Sequence, residues 1–223
     1  MNGKADPNCA RSGVPSVDEL LQRARGLGFL VQVLDTSPDE DFCAMMSPIR
    51  FGGLPTSGYG LMDAFWEEGS EKDMGEVSLE LRRDWTRLFR GVSPSYGPPP
   101  PYEYVYVSAA GQDPHQLVAL TRLYASRGIV ISPEERNRAD YLGYELAFAS
   151  LLLEDAANAP DEASRDVALG TFAAFVDDHL GWVAGFCERV QDEAATNYYR
   201  GYAQVLRDSM EELSAFAQQV RPA

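Results

Sequence analysis

Length, composition and charge limit what this chain can be. Its 223 residues suffice for one large domain or two small ones, and its content of 45% apolar and 24% charged residues is typical of a globular protein. The formal net charge of −15 argues against nucleic-acid binding, because that binding depends on Lys and Arg neutralising phosphates. An acidic surface favours basic partners, although acidity also simply keeps proteins soluble.

The chain shows no targeting or membrane signal. Residues 1–14 contain no apolar segment of the kind found in secretory signals, and we expect them to be flexible. The longest largely apolar run, Leu146 to Leu153, is far shorter than the roughly 20 residues that span a bilayer. The three cysteines lack a CxxC spacing, which favours free thiols in a reducing compartment. We therefore expect a cytoplasmic protein without membrane insertion.

Helix start signals recur in the first third of the chain. Ser16-Val-Asp-Glu19 is a capping box that opens a helix to about Leu34, and Ser37-Pro-Asp-Glu40 opens a shorter one. Residues 47–60 are rich in Gly, Pro and Ser, which predicts a loop before a short helix over Leu61 to Glu68.

A clearer amphipathic helix begins at Gly75. One apolar face is formed at spacings of four, seven and eight residues by Leu81, Trp85, Leu88 and Phe89. Gly91 is a suitable residue to end this helix, because glycine adopts the left-handed conformation found just after many helices.

Residues 97–107 then read GPPPPYEYVYV. The prolines exclude a helix or a central strand, because each fixes φ and lacks a backbone donor. Tyr102 to Val107 alternate like a strand, but a lone strand cannot form a sheet, so we expect extended chain or the start of a loop. The run is compatible with a hinge between domains, a polyproline ligand for another protein, or part of this protein's own binding surface.

Helix signals return in the second half. The predicted helices cover about 113–128, 132–155, 160–179, 182–187 and 195–220. The second of these opens on a capping box at Ser132 to Glu135 and becomes apolar on nearly every side, which predicts a central, buried helix. The chain therefore predicts an all-α fold, a single-domain bundle of roughly eight or nine helices over residues 15–220.

Motifs of common catalysts are missing from the sequence. It has no GxSxG elbow, no GxxxxGK[ST] phosphate loop and no GxGxxG after a strand. His115 is expected at the surface near a helix start. His179 follows Asp177 and Asp178, but consecutive helical residues point in different directions and cannot converge on one ion. We expect no catalytic activity, metal or cofactor.

Three segments in order resemble a known family. They are Trp85-Thr-Arg-Leu-Phe-Arg-Gly91 with the proline run and Tyr102-Glu103, then EERNRADYLGYEL at 134–146, then Phe175 to Trp182 with Tyr198-Tyr199 beyond. Over about residues 16–215 this pattern is similar to the TorD/DmsD/NarJ family of redox-enzyme maturation proteins. The resemblance implies an all-helical cytoplasmic chaperone that binds the twin-arginine leader, the immature apoprotein, or both, of a molybdenum- or tungsten-containing reductase.

The resemblance also implies a peptide-binding site. An apolar groove with carboxylates at one end would suit an arginine pair followed by an apolar stretch, with charge-assisted bonds to the arginines from Glu103 and Asp140. The predicted site residues are Trp85, Leu88, Phe89, Pro101, Tyr102, Glu103, Asp140 and Tyr141. Ordinary core packing is the competing interpretation for Leu88 and Phe89, and His179 and Trp182 are interpreted as structural.

One position departs from the family pattern. Tyr141 stands where the family usually has histidine after aspartate, and tyrosine cannot carry a positive charge near neutral pH. A role that needs an ionisable imidazole is therefore not carried over to this position.

Two other functions are compatible with the sequence. One is a nucleotide-dependent switch, although the chain lacks a phosphate loop and has few basic residues. The other is an acidic scaffold that displays its polyproline segment. Since members of the family exchange helices between subunits, the protein is expected to be a monomer or a domain-swapped homodimer, with hinges in residues 47–60 or 91–112.

Overall fold

A computed structural model describes residues 15–52, 54, 56–91, 96–107, 114–132 and 137–221. The predicted flexible segment 1–14, with Cys9, lies outside these residues. So do residues 133–135 of the predicted third capping box and the side chain of His115.

The described part of the chain contains ten α-helices, and none of the described residues forms a β-strand. The helices are α1 (Val17–Asp35), α2 (Glu40–Met46), α3 (Ser57–Glu68), α4 (Met74–Phe89), α5 (Glu103–Val107), α6 (Pro114–Ala125), α7 (Leu142–Ala157), α8 (Glu162–His179), α9 (Val183–Glu193) and α10 (Asn197–Val220). The predicted all-α bundle is confirmed, with one helix more than the eight or nine expected.

Short polar side chains begin several helices. The Ser16 hydroxyl accepts a hydrogen bond from the backbone N–H of Glu19 at 3.2 Å, as its capping box predicts. Asp39 starts α2 by accepting from Phe42 N–H at 2.8 Å, two residues later than the predicted cap at Ser37. These contacts satisfy N–H groups that have no partner within the helix.

The core is centred on α7, which packs between α1 and α8, while α10 packs against α3, α8 and α9. The apolar character of α7 on nearly every side is explained by its position, because neighbours cover most of its surface. A buried hydrogen bond from the Ser150 hydroxyl to the Ala24 carbonyl at 3.0 Å joins α7 to α1. The predicted central, buried helix is therefore confirmed, and no described helix is both long and apolar enough to cross a bilayer.

Two glycines set the distance between α3 and α10. A Cβ atom added to Gly201 would lie 2.4 Å from the Gly58 carbonyl oxygen, and one added to Gly58 would lie 2.5 Å from the Gly201 carbonyl oxygen. No real Cβ tolerates so short a contact, so the helices approach closely only because both positions lack a side chain.

The start of α7 differs from the prediction. The helix begins at Leu142 rather than near Ser132, and residues 137–140 form a turn instead. The reason is a tertiary contact: the N–H of Leu142 donates to the Pro101 carbonyl at 3.0 Å, and Glu103 N–H donates to the Asp140 carbonyl at 3.0 Å. Pairing with the proline segment thus takes the place of an earlier helical turn.

The proline run also leads into a helix rather than the predicted extended chain. Residues Glu103–Val107 form the short helix α5. Its Tyr106 ring stacks on Trp182 with centroids 5.2 Å apart and meets Phe186 edge-on at 5.9 Å. Six alternating residues do not distinguish a short helix from a strand, and here contacts with the α8–α9 corner decide.

Candidate functional site

The proline segment brings distant parts of the chain together. Gly91, with φ of 58°, turns the chain at the end of α4, and Pro100 packs within 3.0 Å of the position that a Gly91 Cβ would occupy. Tyr102 and Tyr141 then form an antiparallel bridge. The segment is therefore a stiff connection within one bundle, with helices of that bundle on both sides.

The proline run is not displayed as a free ligand. Pro98 and Pro101 are buried, Pro100 is half-buried and only Pro99 is exposed. The Tyr106 hydroxyl donates to the Pro99 carbonyl at 2.8 Å. A polyproline helix that docks into another protein needs its prolines accessible, so the structure argues against the scaffold interpretation.

Asp140 is buried beside an arginine of its own chain. Its side chain is 4% exposed and accepts two hydrogen bonds from Arg138, Nε to Oδ1 at 3.0 Å and one terminal nitrogen to Oδ2 at 3.1 Å. The Arg138 guanidinium also lies 4.1 Å from the centroid of the Tyr104 ring, which belongs to α5. A carboxylate and an aromatic face together form a receptor for a guanidinium group.

A second pair of polar contacts lies deeper in the bundle. Glu103, 11% exposed in its side chain, is 3.2 Å from Nδ1 of His179. The Trp182 indole N–H donates to Glu145 at 3.0 Å. Glu145 is fully buried, and burial, with a smaller effect from the charge of Glu103, raises the pKa of its carboxyl well above 4.5. His179 and Trp182 therefore anchor two carboxyl groups as well as packing at the helix corner.

Tyr141, at the position where the family usually has histidine, is buried among aromatic rings. Its ring centroid lies 5.5 Å from those of both Tyr102 and Tyr144, and its hydroxyl donates to the Asp35 carboxylate at the end of α1. Burial and the Asp35 charge raise the pKa of this hydroxyl, so it remains a neutral donor. Tyr141 thus joins α1 to the proline segment without any titration near neutral pH.

The apolar residues of the predicted groove lie in the core. Leu88 is fully buried, and Phe89 packs edge-on against Tyr199 and Tyr202 of α10 with centroids 5.3 and 5.9 Å apart. Trp85 is 7% exposed and donates its indole N–H to the Leu34 carbonyl at 2.9 Å. The apolar face of α4 packs against its neighbours in the bundle, so neither Leu88 nor Phe89 offers surface to a peptide in this structure. Ordinary core packing is therefore the interpretation that fits both residues.

Trp85 also contacts a charged side chain. The guanidinium of Arg90, at the end of α4, lies 4.6 Å from its ring centroid. The remaining predicted residues, Pro101, Tyr102, Glu103, Asp140 and Tyr141, are brought into contact by the pairing of residues 101–103 with 140–142.

Comparison with known proteins agrees with this architecture. The sequence model of the family described as "nitrate reductase delta subunit" matches residues 59–188, more than half of the chain. The chain belongs to this family. As a nitrate reductase delta family member, it is one of the TorD/NarJ redox-enzyme maturation chaperones, whose role is to assist molybdoenzyme assembly without catalysis. No curated protein matched the sequence.

The family match covers the candidate site. The range assigned to the nitrate reductase delta family includes all eight predicted site residues together with Glu145, His179 and Trp182. Asp35, the partner of Tyr141, lies before it. Among the described residues, no group of His, Cys, Asp and Glu side chains is arranged to hold a metal ion.

Sequence reasoning missed three residues of this site. Glu145 carried a signal, since a carboxyl group that is fully buried in the first turn of a largely apolar helix is rare without a functional or structural partner. Arg138 carried a weaker one, as a cation two residues from Asp140. Tyr104 could not have been separated from its neighbours Tyr102 and Tyr106, because only the fold decides which ring faces the guanidinium.

Proposed function

We propose that this chain is a cytoplasmic chaperone that binds the twin-arginine leader of a molybdenum- or tungsten-containing oxidoreductase precursor and holds the precursor until its cofactor has been inserted. The observation that carries the proposal is the placement of Asp140 and Glu103 side by side, held by the pairing of residues 101–103 with 140–142. Twin-arginine leaders present guanidinium groups, and such groups bind best to carboxylates that are partly withdrawn from water.

The surroundings of these carboxylates support the same function. Tyr102 and Tyr104 flank Glu103 in the chain, with ring centroids 6.3 Å apart, and Tyr104 shares a cleft with Glu103 and Asp140; aromatic faces bind guanidinium groups. The net charge of −15 would also accelerate encounter with a basic leader. Pro101 and Tyr141 contribute by fixing the geometry of the proline segment through the pairing of residues 101–103 with 140–142. Trp85 is held in the bundle by its hydrogen bond to the Leu34 carbonyl.

The proposal is tested by isothermal titration calorimetry. Twin-arginine leader peptides of candidate reductases from the same cell are titrated into the protein, beside versions in which both arginines are lysines. We expect micromolar or tighter binding of the arginine peptides and at least about tenfold weaker binding in Asp140→Asn, because one charge-assisted contact is lost.

Asp166→Asn is the matched control. Asp166 is exposed on α8, so this variant loses the same charge without touching the site. Equal binding by the two variants would show that Asp140 is not part of a leader site. Failure of every leader to bind the wild-type protein would refute leader recognition itself.

A further inference from the structure

Asp140 already holds an arginine. The two hydrogen bonds from Arg138 use both carboxylate oxygens, which is the two-point contact that a guanidinium group typically makes with a carboxylate. The Tyr104 ring covers the guanidinium on one side, 4.1 Å away. The Asp140 carboxylate and the Tyr104 ring together form a receptor for an arginine side chain, and Arg138 of the same chain occupies this receptor.

Asp140 and Arg138 lie in a small cleft between α5, α6 and the turn before α7, and the walls of this cleft suit a guanidinium group in particular. Leu117 and Leu120 of α6 line it together with Glu103, Tyr104 and Asp140. A planar, weakly hydrated guanidinium stacks on an aromatic face and tolerates apolar walls, whereas a lysine ammonium is compact and strongly hydrated. The cleft therefore favours arginine over lysine.

The two partners differ in exposure. The Asp140 side chain is 4% exposed and anchored in the turn before α7, while the Arg138 side chain is 33% exposed. Asp140 cannot leave without disturbing the pairing with the proline segment, since its carbonyl accepts from Glu103 N–H. The Arg138 side chain reaches solvent, where a guanidinium charge is hydrated, so Arg138 is the more readily exchanged member of the pair.

We infer that Arg138 is an internal ligand of the arginine site, and that an arginine from the client peptide binds by displacing it from Asp140 and Tyr104. This inference rests on the proposed function and adds to it a mechanism of selectivity. The resident arginine keeps the buried carboxylate paired when no client is bound. Only a peptide that replaces both the ion pair and the ring contact competes successfully.

The expected change in peptide affinity follows from the fraction of molecules in which Arg138 occupies the site. If Arg138 occupies the site in about nine-tenths of the molecules, the apparent dissociation constant of a competing peptide is raised about tenfold. Arg138→Gln removes the competitor, so the variant should bind a twin-arginine leader peptide roughly three- to tenfold more tightly than the wild-type protein. Arg138→Lys keeps the charge but loses the two-point contact, and should also bind more tightly, by a smaller factor.

Arg122→Gln is the matched control. Arg122 is exposed on α6, and its replacement changes the net charge as Arg138→Gln does. A gain in Arg138→Gln and Arg138→Lys that is absent from Arg122→Gln supports displacement. An equal gain in Arg122→Gln would assign the effect to overall charge, and unchanged or weaker binding in Arg138→Gln would overturn the inference.

A measurement on the wild-type protein covers the case in which the glutamine variant fails to fold. The Nε–Hε resonance of Arg138, identified by its loss in Arg138→Lys, should shift and exchange faster with water when leader peptide is added. Peptide binding that leaves this resonance unchanged would refute displacement while leaving the proposed function intact. If no leader binds any of the variants or the wild-type protein, leader recognition fails as well as the inference.

Discussion

The buried carboxyl group of Glu145 makes a sharp prediction about stability and pH. One of its oxygens accepts from the Trp182 indole at 3.0 Å, and the other has no hydrogen-bond partner among the described residues. Burial raises its pKa well above 4.5, as expected for a group held neutral in an apolar interior. Glu145→Gln keeps the size and the acceptor for Trp182 but removes the titratable proton.

The magnitude follows from proton linkage. The folded protein holds the Glu145 proton more tightly than the unfolded chain does. The free energy of unfolding therefore falls as the pH rises above 4.5, and it stops falling once the pH passes the folded-state pKa. One proton changes this free energy by at most about 1.4 kcal/mol per pH unit. Glutamine cannot ionise. Between pH 4.5 and the folded-state pKa of Glu145, the free energy of unfolding of Glu145→Gln should therefore rise relative to that of the wild-type protein, by up to about 1.4 kcal/mol per pH unit.

The assay is urea unfolding followed by tryptophan fluorescence, at unit intervals between about pH 5 and pH 8. Glu154→Gln is the matched control, since it removes an exposed carboxyl group from the same helix. A stability difference between Glu145→Gln and wild type that is constant over the whole range would refute the reasoning, because it would mean that Glu145 is ionised in the folded protein as readily as in the unfolded chain.

Two further predictions concern packing and the Tyr141 position. Gly201→Ala should destabilise the protein by about 1–3 kcal/mol or more, because its Cβ would meet the Gly58 carbonyl. Gly26→Ala, which has open space around it in α1, should stabilise the protein by about 0.5–1 kcal/mol. Urea unfolding that ranks the two variants in the opposite order would contradict the close approach of α3 and α10. Tyr141→Phe should cost about 0.5–1.5 kcal/mol by removing the hydrogen bond to Asp35. A double-mutant cycle with Asp35→Ala should show a coupling of similar size, and strictly additive costs would show that the contact contributes nothing.

Much of the helical architecture could be predicted because it depends on local chemistry. The capping box at Ser16 and the chain reversal at Gly91 each satisfy a requirement of neighbouring backbone groups, and such requirements are visible in a few consecutive residues. The burial of α7 was equally visible, since a helix that is apolar on nearly all sides must be covered.

The starting point of α7 and the conformation of residues 103–107 could not be predicted in the same way. Local signals favoured a helix from Ser132 and an extended chain after the prolines. Both were overridden by contacts between segments far apart in the sequence, the bond from Leu142 to Pro101 and the stacking of Tyr106 on Trp182. Local preferences differ by fractions of a kcal/mol per residue, which a few tertiary contacts outweigh.

The candidate site divides along the same line. The sequence alone determined that the chain is an acidic helical protein with the motif pattern of a redox-enzyme chaperone. It also determined that Glu103 and Asp140 each stand next to a tyrosine in the chain. Both follow from composition and from the order of neighbouring residues, which are properties of the chain itself. Only the tertiary structure decided that Leu88 and Phe89 belong to the core, and that Asp140 faces an arginine of its own chain. The physical reason is that an apolar helix face and a carboxylate each have several suitable partners, and the choice among them is made by which surfaces the packed helices bring within contact distance.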